Sequence, residues 1–172
     1  RTEVQTATRA EFKAMSQLAT AFAPYIAIPS QGAVSVRNQF VKVNYPKATF
    51  NDLTAEIDLT TIQLTKSVVT LPQVSASRGQ DGITVQLAPT EYEVNVDRVV
   101  YVMVGRTSEG LIRILASRVI TEPGVNKTFT ATFPANSSNL TVYAYGVRDN
   151  TQAARERFGN IYWVSGETIA QL

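Results

Sequence analysis

Neither cysteine nor histidine occurs among the 172 residues. The first absence removes disulfides, thiol nucleophiles and thiolate metal sites. The second removes the commonest general base and the commonest metal ligand. Together they exclude Ser-His-Asp and Cys-His catalysis and ordinary zinc sites; they do not define a compartment. Long apolar runs are also lacking, so no membrane span and no signal peptide is read. The chain opens at Arg1 rather than Met, which leads to the expectation of a processed precursor or a trimmed start. Net charge is scarce too: +2 is too small to imply a partner.

What is present is an ordinary globular balance, 44% apolar and 17% charged, which predicts a packed core. The apolar set leans towards Val, Ile, Thr, Tyr and Phe, residues that favour a pleated surface. Charge is unevenly distributed. Residues 1–47 carry six basic and two acidic side chains, and residues 48–100 carry three basic and seven acidic. Segments of opposite sign are suited to pack together or to meet in neighbouring copies, within the reach that screening allows.

The opening reads as a helix over residues 2–23. Thr2 and Gln5 have capping-box spacing, and Phe12, Met15, Ala19, Phe22 and Ile26 share one face. Pro24 and Pro29 end the element. In residues 33–44, Ala33, Val36, Phe40 and Val43 fit a helical stripe, but Val34 with Val36, or Val41 with Val43, fit a strand equally well. The polar Arg37-Asn38-Gln39 between them favours a short helix stopped by Asn44 and Pro46.

From Ile57 the period changes to two. Ile57, Leu59, Ile62 and Leu64 predict a first strand over 57–66, and a second follows over 68–77 with Pro72 marking an edge or bulge. After the Gly79–Gly82 turn, Ile83, Val85 and Leu87 alternate in a third strand. Residues 97–106 and 111–121 flank Thr107-Ser108-Glu109-Gly110 as a hairpin. Strands over 128–133, 140–147 and 155–164 complete the set. The predicted fold class is mainly β: an immunoglobulin-like antiparallel β-sandwich preceded by one or two N-terminal helices. The division expected is a helical region at 1–50 and a sandwich domain at 51–172. Two strands, Val99 through Val104 and Leu111 through Ala116, are apolar on both faces, where a half-wet sheet would alternate. One face then meets the sandwich core and the other meets the N-terminal helix or a second copy.

The chain resembles a family of uncharacterised Bacteroidota proteins, a domain of unknown function that is multi-copy and sometimes phage-associated. Arg1-Thr2-Glu3 with Gln5, Arg9 and Phe12 carries the likeness at the start. It continues through Ser35-Val36-Arg37-Asn38-Gln39-Phe40-Val41 with Asn44, and Ile57-Asp58-Leu59 with Ile62. Val142-Tyr143 and Asn160-Ile161-Tyr162 close it, so nearly the whole chain is covered. The family's Gly-rich opening is absent here, in keeping with the expected processed start. The resemblance implies a helix-plus-sandwich fold and a surface or virion setting, and it implies no catalytic residues.

Several clusters are candidate sites. Glu91, Glu93 and Asp97 bring three carboxylates that could hold calcium, though a solvated acidic stretch leading into a strand explains them too, and neighbours on one strand cannot flank a glycosidic bond. Arg155 and Arg157 with Phe158, Tyr162 and Trp163 could contact single-stranded nucleic acid, but Glu156 intervenes and no motif accompanies them. Tyr143 and Tyr145 share a strand face that, with Trp163, could offer a sugar platform if exposed. Asn126-Lys127-Thr128, Asn136-Ser137-Ser138 and Asn139-Leu140-Thr141 match glycosylation acceptors but are explained by turn chemistry. Gly105, Gly110 and Gly146 are isolated and build no phosphate loop. No catalytic, cofactor-binding or metal residue is therefore named, and no cofactor is expected. The function expected is non-catalytic: a subunit of a bacterial surface assembly, filament or phage virion, outside the cell or in a virion. Its partners would be copies of itself or neighbouring subunits, with neither nucleic acid nor a membrane span. The alternative is a carbohydrate-binding or adhesive β-sandwich module taking a glycan.

Overall fold

A computed structural model describes residues 2–28, 33–51, 54–66, 73–80, 82–87, 98–106, 112–122, 124, 128–133, 140–148, 163–164 and 167–171. Thr2 caps the first helix, α1 (Glu3–Phe22), in a complete capping box with Gln5, as the spacing predicts. A short 3-10 turn, Ala23–Tyr25, ends it with Pro24 near its start. The ambiguous segment is a helix, α2 (Val36–Asn44), capped by the Ser35 side chain.

The remaining regular structure is β: β1 (Ser75–Gly79), β2 (Gly82–Leu87), β3 (Arg98–Arg106), β4 (Ile112–Ile120), β5 (Phe129–Phe133), β6 (Thr141–Arg148), β7 (Trp163–Val164) and β8 (Thr168–Gln171). They form an antiparallel sandwich. One sheet is ordered β1-β2-β5; the other is β4-β3-β6, with β7 and β8 in line along the far side of β6. The β1–β2 hairpin closes at the pair Gly79 and Gly82, and Gly82 has a φ of 125°, a conformation that favours a residue without Cβ.

Alternation decides what each strand buries. On β3, Val99, Tyr101 and Met103 point between the sheets, where they meet Ile83, Val85 and Leu87 of β2, Phe129 and Phe133 of β5, and Val142 and Ala144 of β6. Its other face, Val100, Val102 and Val104, joins Tyr143, Tyr145 and Val147 of β6 under Met15, Leu18, Ala19 and Phe22 of α1 and Phe40 of α2. The doubly apolar reading of β3 thus has its cause: the larger sheet is covered on both sides, and the second cover is the helical layer. Each fully buried large side chain contributes on the order of 1.5–3 kcal/mol.

Four expectations need correction. The segment 57–66 is not a strand. It is an irregular strap with one 3-10 turn, Leu59–Thr61, in which Asp58 accepts from the Thr60 amide at 3.0 Å. Its ladder contacts are isolated bridges, Phe50 with Ile57 and Ala27 with Thr65. Ile57, Leu59, Ile62 and Leu64 are all buried, so period two marked burial rather than pairing. Second, Phe12 leaves the stripe it belongs to by spacing: it is 53% exposed. Every buried residue of α1 lies from Met15 onward, and Phe12 packs instead against Tyr45 at the end of α2. Third, β4 is an edge strand, not a doubly covered one; Leu115 is 48% and Val119 52% exposed, and the pairing with β3 shifts by one at Leu115. Fourth, β8 was not anticipated, its four residues being too short to show alternation. The expected second strand is seen as β1, starting at Ser75, with 67–72 outside the described residues, as are 155–162 of the expected last strand.

Candidate functional site

Two surfaces stand out, one inside the molecule and one on it. The inner one is the seat of the strap. Side chains replace the ladder hydrogen bonds that the strap does not make. Asn44, fully buried at the end of α2, donates to the Gln63 carbonyl at 2.9 Å and accepts from the Gln63 amide at 2.6 Å. Its amide thus pairs with Gln63 as a neighbouring strand would. Glu167, just ahead of β8, accepts from the Leu64 amide at 3.1 Å and from the Thr65 hydroxyl. Arg106 donates to the Ile57 carbonyl at 2.6 Å.

The tyrosines of β6 belong to the same seat. Tyr143 donates its hydroxyl to the Leu59 carbonyl, and Tyr145 donates to the Tyr25 carbonyl at 2.9 Å. Both rings are buried, and Phe22 meets Tyr143 edge-on at 5.4 Å between centroids. A sugar platform needs exposed ring faces, so burial removes Tyr143 and Tyr145 from that role. Burial, followed by the Glu167 and Asp58 carboxylates, raises the Tyr143 hydroxyl far above its ordinary value. The two tyrosine hydroxyls brace the strap and the turn after α1 against the sheet.

The outer surface is a groove of about 580 Å³ between α1 and α2. Phe12, Val41, Tyr45 and Pro46 form its floor, and Arg9, Lys13 and Lys42 stand around it. Helical spacing explains the set: Arg9, Phe12 and Lys13 lie three and four apart on α1, as do Val41, Lys42 and Tyr45 at the end of α2. Phe12 and Tyr45 meet edge-to-face at 6.0 Å, and Tyr45 meets Phe50 of the following segment at 5.9 Å. The Tyr45 hydroxyl lies 3.5 Å from a Glu11 carboxylate oxygen; partial desolvation, then that carboxylate, raises its pKa. The groove is an apolar trough with cationic edges. The residues that build it were legible only as parts of helices, because nothing in their spacing tells an outward face from an inward one.

The clusters weighed from sequence fall elsewhere. Glu91, Glu93 and Asp97 lie outside the described residues, as do Arg155, Arg157, Phe158 and Tyr162; of Trp163 only the backbone is described. Asn126, Lys127, Asn136, Ser137, Ser138 and Asn139 also lie outside them. Gly105 serves packing: a Cβ there would come within 2.7 Å of the Leu115 side chain. Among the described residues no group of three acidic, His or Cys side chains gathers as a metal site. Nor is any described helix long and apolar enough to cross a membrane.

No family model matches the chain, and no curated protein or solved structure is significantly similar to it.

Proposed function

We propose that this chain is a non-catalytic structural protein that works by self-association, as a subunit of a surface assembly, filament or virion. One observation carries the reading: the helical layer that covers the sheet with one side turns an apolar, cation-edged groove outward with the other. A helix pair needed only as a lid would present polar residues there. Here Phe12 spends an aromatic side chain on solvent, and Val4, Val34 and Val36 are exposed on the same layer. Apolar surface gathered on a layer built from the chain's most basic segment is the kind of patch that marks a contact. The resemblance to the Bacteroidota family supports a surface or virion setting for that contact. The glycan-binding alternative loses its main support with the burial of Tyr143 and Tyr145.

Light scattering over a wide concentration range tests the proposal, with Phe12→Gln as the comparison and circular dichroism confirming that both proteins fold. The expected result is a mass that rises with concentration and an association weakened at least about tenfold by the substitution, as for an interface anchor. A strictly monomeric chain at every concentration overturns it.

A further inference from the structure

We infer that the α1–α2 groove is one half of a head-to-tail contact, and that its occupant is the acidic strap region of the next copy of this chain. The inference rests on the self-association reading and names its geometry. Arg9, Lys13 and Lys42 surround Phe12, Val41 and Tyr45, and none of the three cations forms an ion pair among the described residues. An apolar floor alone accepts any apolar side chain; uncompensated cations at its edge select a segment that also carries carboxylates.

The chain holds the carboxylates for that edge, on a segment whose apolar residues Ile57, Leu59, Ile62 and Leu64 are buried, so the contact rests on charge. Residues 48–100 carry seven acidic and three basic side chains. Within it, Glu56 is exposed on the strap, two residues from Asp58, which is also exposed but caps its own turn. A copy cannot fill its own groove with its own strap. Asn44, Arg106, Tyr143 and Glu167 hold that strap on the sheet, with Gln63, Ile57, Leu59 and Leu64 as their partners. A strap carboxylate that meets the groove therefore comes from another molecule. Groove and acid are different patches, so each copy offers one of each, and a contact of that type repeats along a row instead of closing on itself as a two-fold pair does.

A complementation experiment decides. Arg9→Glu with Lys13→Glu reverses the groove edge on an exposed part of α1, and Glu56→Lys reverses the strap; circular dichroism melts confirm that each protein folds. Sedimentation is expected to show self-association weakened at least about tenfold in each, and wild-type association weakened by added salt. Mixed, an intact groove meets an intact strap and the two reversed patches attract each other, so association is expected to recover. Wild-type association that ignores both substitutions overturns the inference and leaves the assembly reading standing. Weakening in each without recovery on mixing places the groove's partner elsewhere and overturns it too. A monomeric wild type removes both.

Discussion

The two faces of β3 and β6, the central strands of the larger sheet, are both buried but built differently. Between the sheets, strand pairs bring Ile83, Val85, Tyr101 and Phe133 together, and the polar backbone is consumed by the ladders themselves. On the opposite face the cover is two helices and a strap, and the strap's amides and carbonyls are met by side chains: Asn44, Arg106, Tyr143 and Glu167. Regular pairing satisfies the backbone wherever the strand goes, so that core tolerates change at any one polar residue. The irregular layer concentrates the same obligation in a few atoms, and a buried carbonyl or amide without its partner costs about 1–3 kcal/mol.

The largest expected effects test whether both layers belong to one cooperative unit. Phe133→Ala in the sandwich and Phe22→Ala under α1 should each lower stability by about 3–5 kcal/mol. Urea unfolding followed both by helical circular dichroism and by tyrosine fluorescence should give one coincident transition. If Phe22→Ala melts the helical signal alone, the helical layer is an appendage. Phe12→Ala, by contrast, should stay within about 0.5 kcal/mol, as exposed positions do.

Next in size is Asn44→Ala, expected to cost about 2–3 kcal/mol because it strands both polar groups of Gln63 at once. A change near zero in the unfolding midpoint would mean that water takes over and that the strap is less tightly seated than its hydrogen bonds indicate.

Tyrosine ionisation compares the faces directly, since on each a buried hydroxyl with a strongly raised pKa donates to a carbonyl: Tyr101 to Phe129, Tyr143 to Leu59. Burial raises both above the ordinary value of about 10. A raised folded-state pKa leaves stability intact below the unfolded value and removes it as pH rises beyond, because the unfolded tyrosine then ionises first. The melting temperature should hold to about pH 9 and fall above about pH 10. Tyr143→Phe should flatten that fall while costing about 1–2 kcal/mol at neutral pH. An unchanged alkaline limb in that variant would assign the loss to Tyr101 and the sandwich.

The smallest effect concerns Ala55, the one described non-glycine residue in the left-handed region, at φ 56°. Ala55→Gly relieves a strain of about 1–2 kcal/mol and returns part of it as unfolded-chain entropy, leaving a gain of up to about 1 kcal/mol. A loss on thermal melting would show that the Ala55 methyl packs usefully where the strap turns.

By itself the amino-acid sequence determined whatever is local or periodic. Thr2 with Gln5 set the start of α1, Asn44 with Pro46 the end of α2, alternation the strands β2 and β5, and apolar runs between turn signals the strands β3 and β6. The absence of Cys and His settled which chemistries were out of reach. Tertiary structure alone decided what covers what. Ile57 through Leu64 carries a strand's pattern yet pairs with almost nothing, because Asn44 and Glu167, distant in sequence, supply the hydrogen bonds a neighbouring strand would have supplied. Phe12 carries the stripe's spacing yet reaches solvent, because its ring packs on Tyr45 at the end of α2 and not on the sheet. Tyr143 and Tyr145 share a face in any reading of β6; only the strap and helices laid over that face make them braces instead of a binding platform. A period records which residues lie on one side of an element, and it holds no information on how far the neighbouring layer extends.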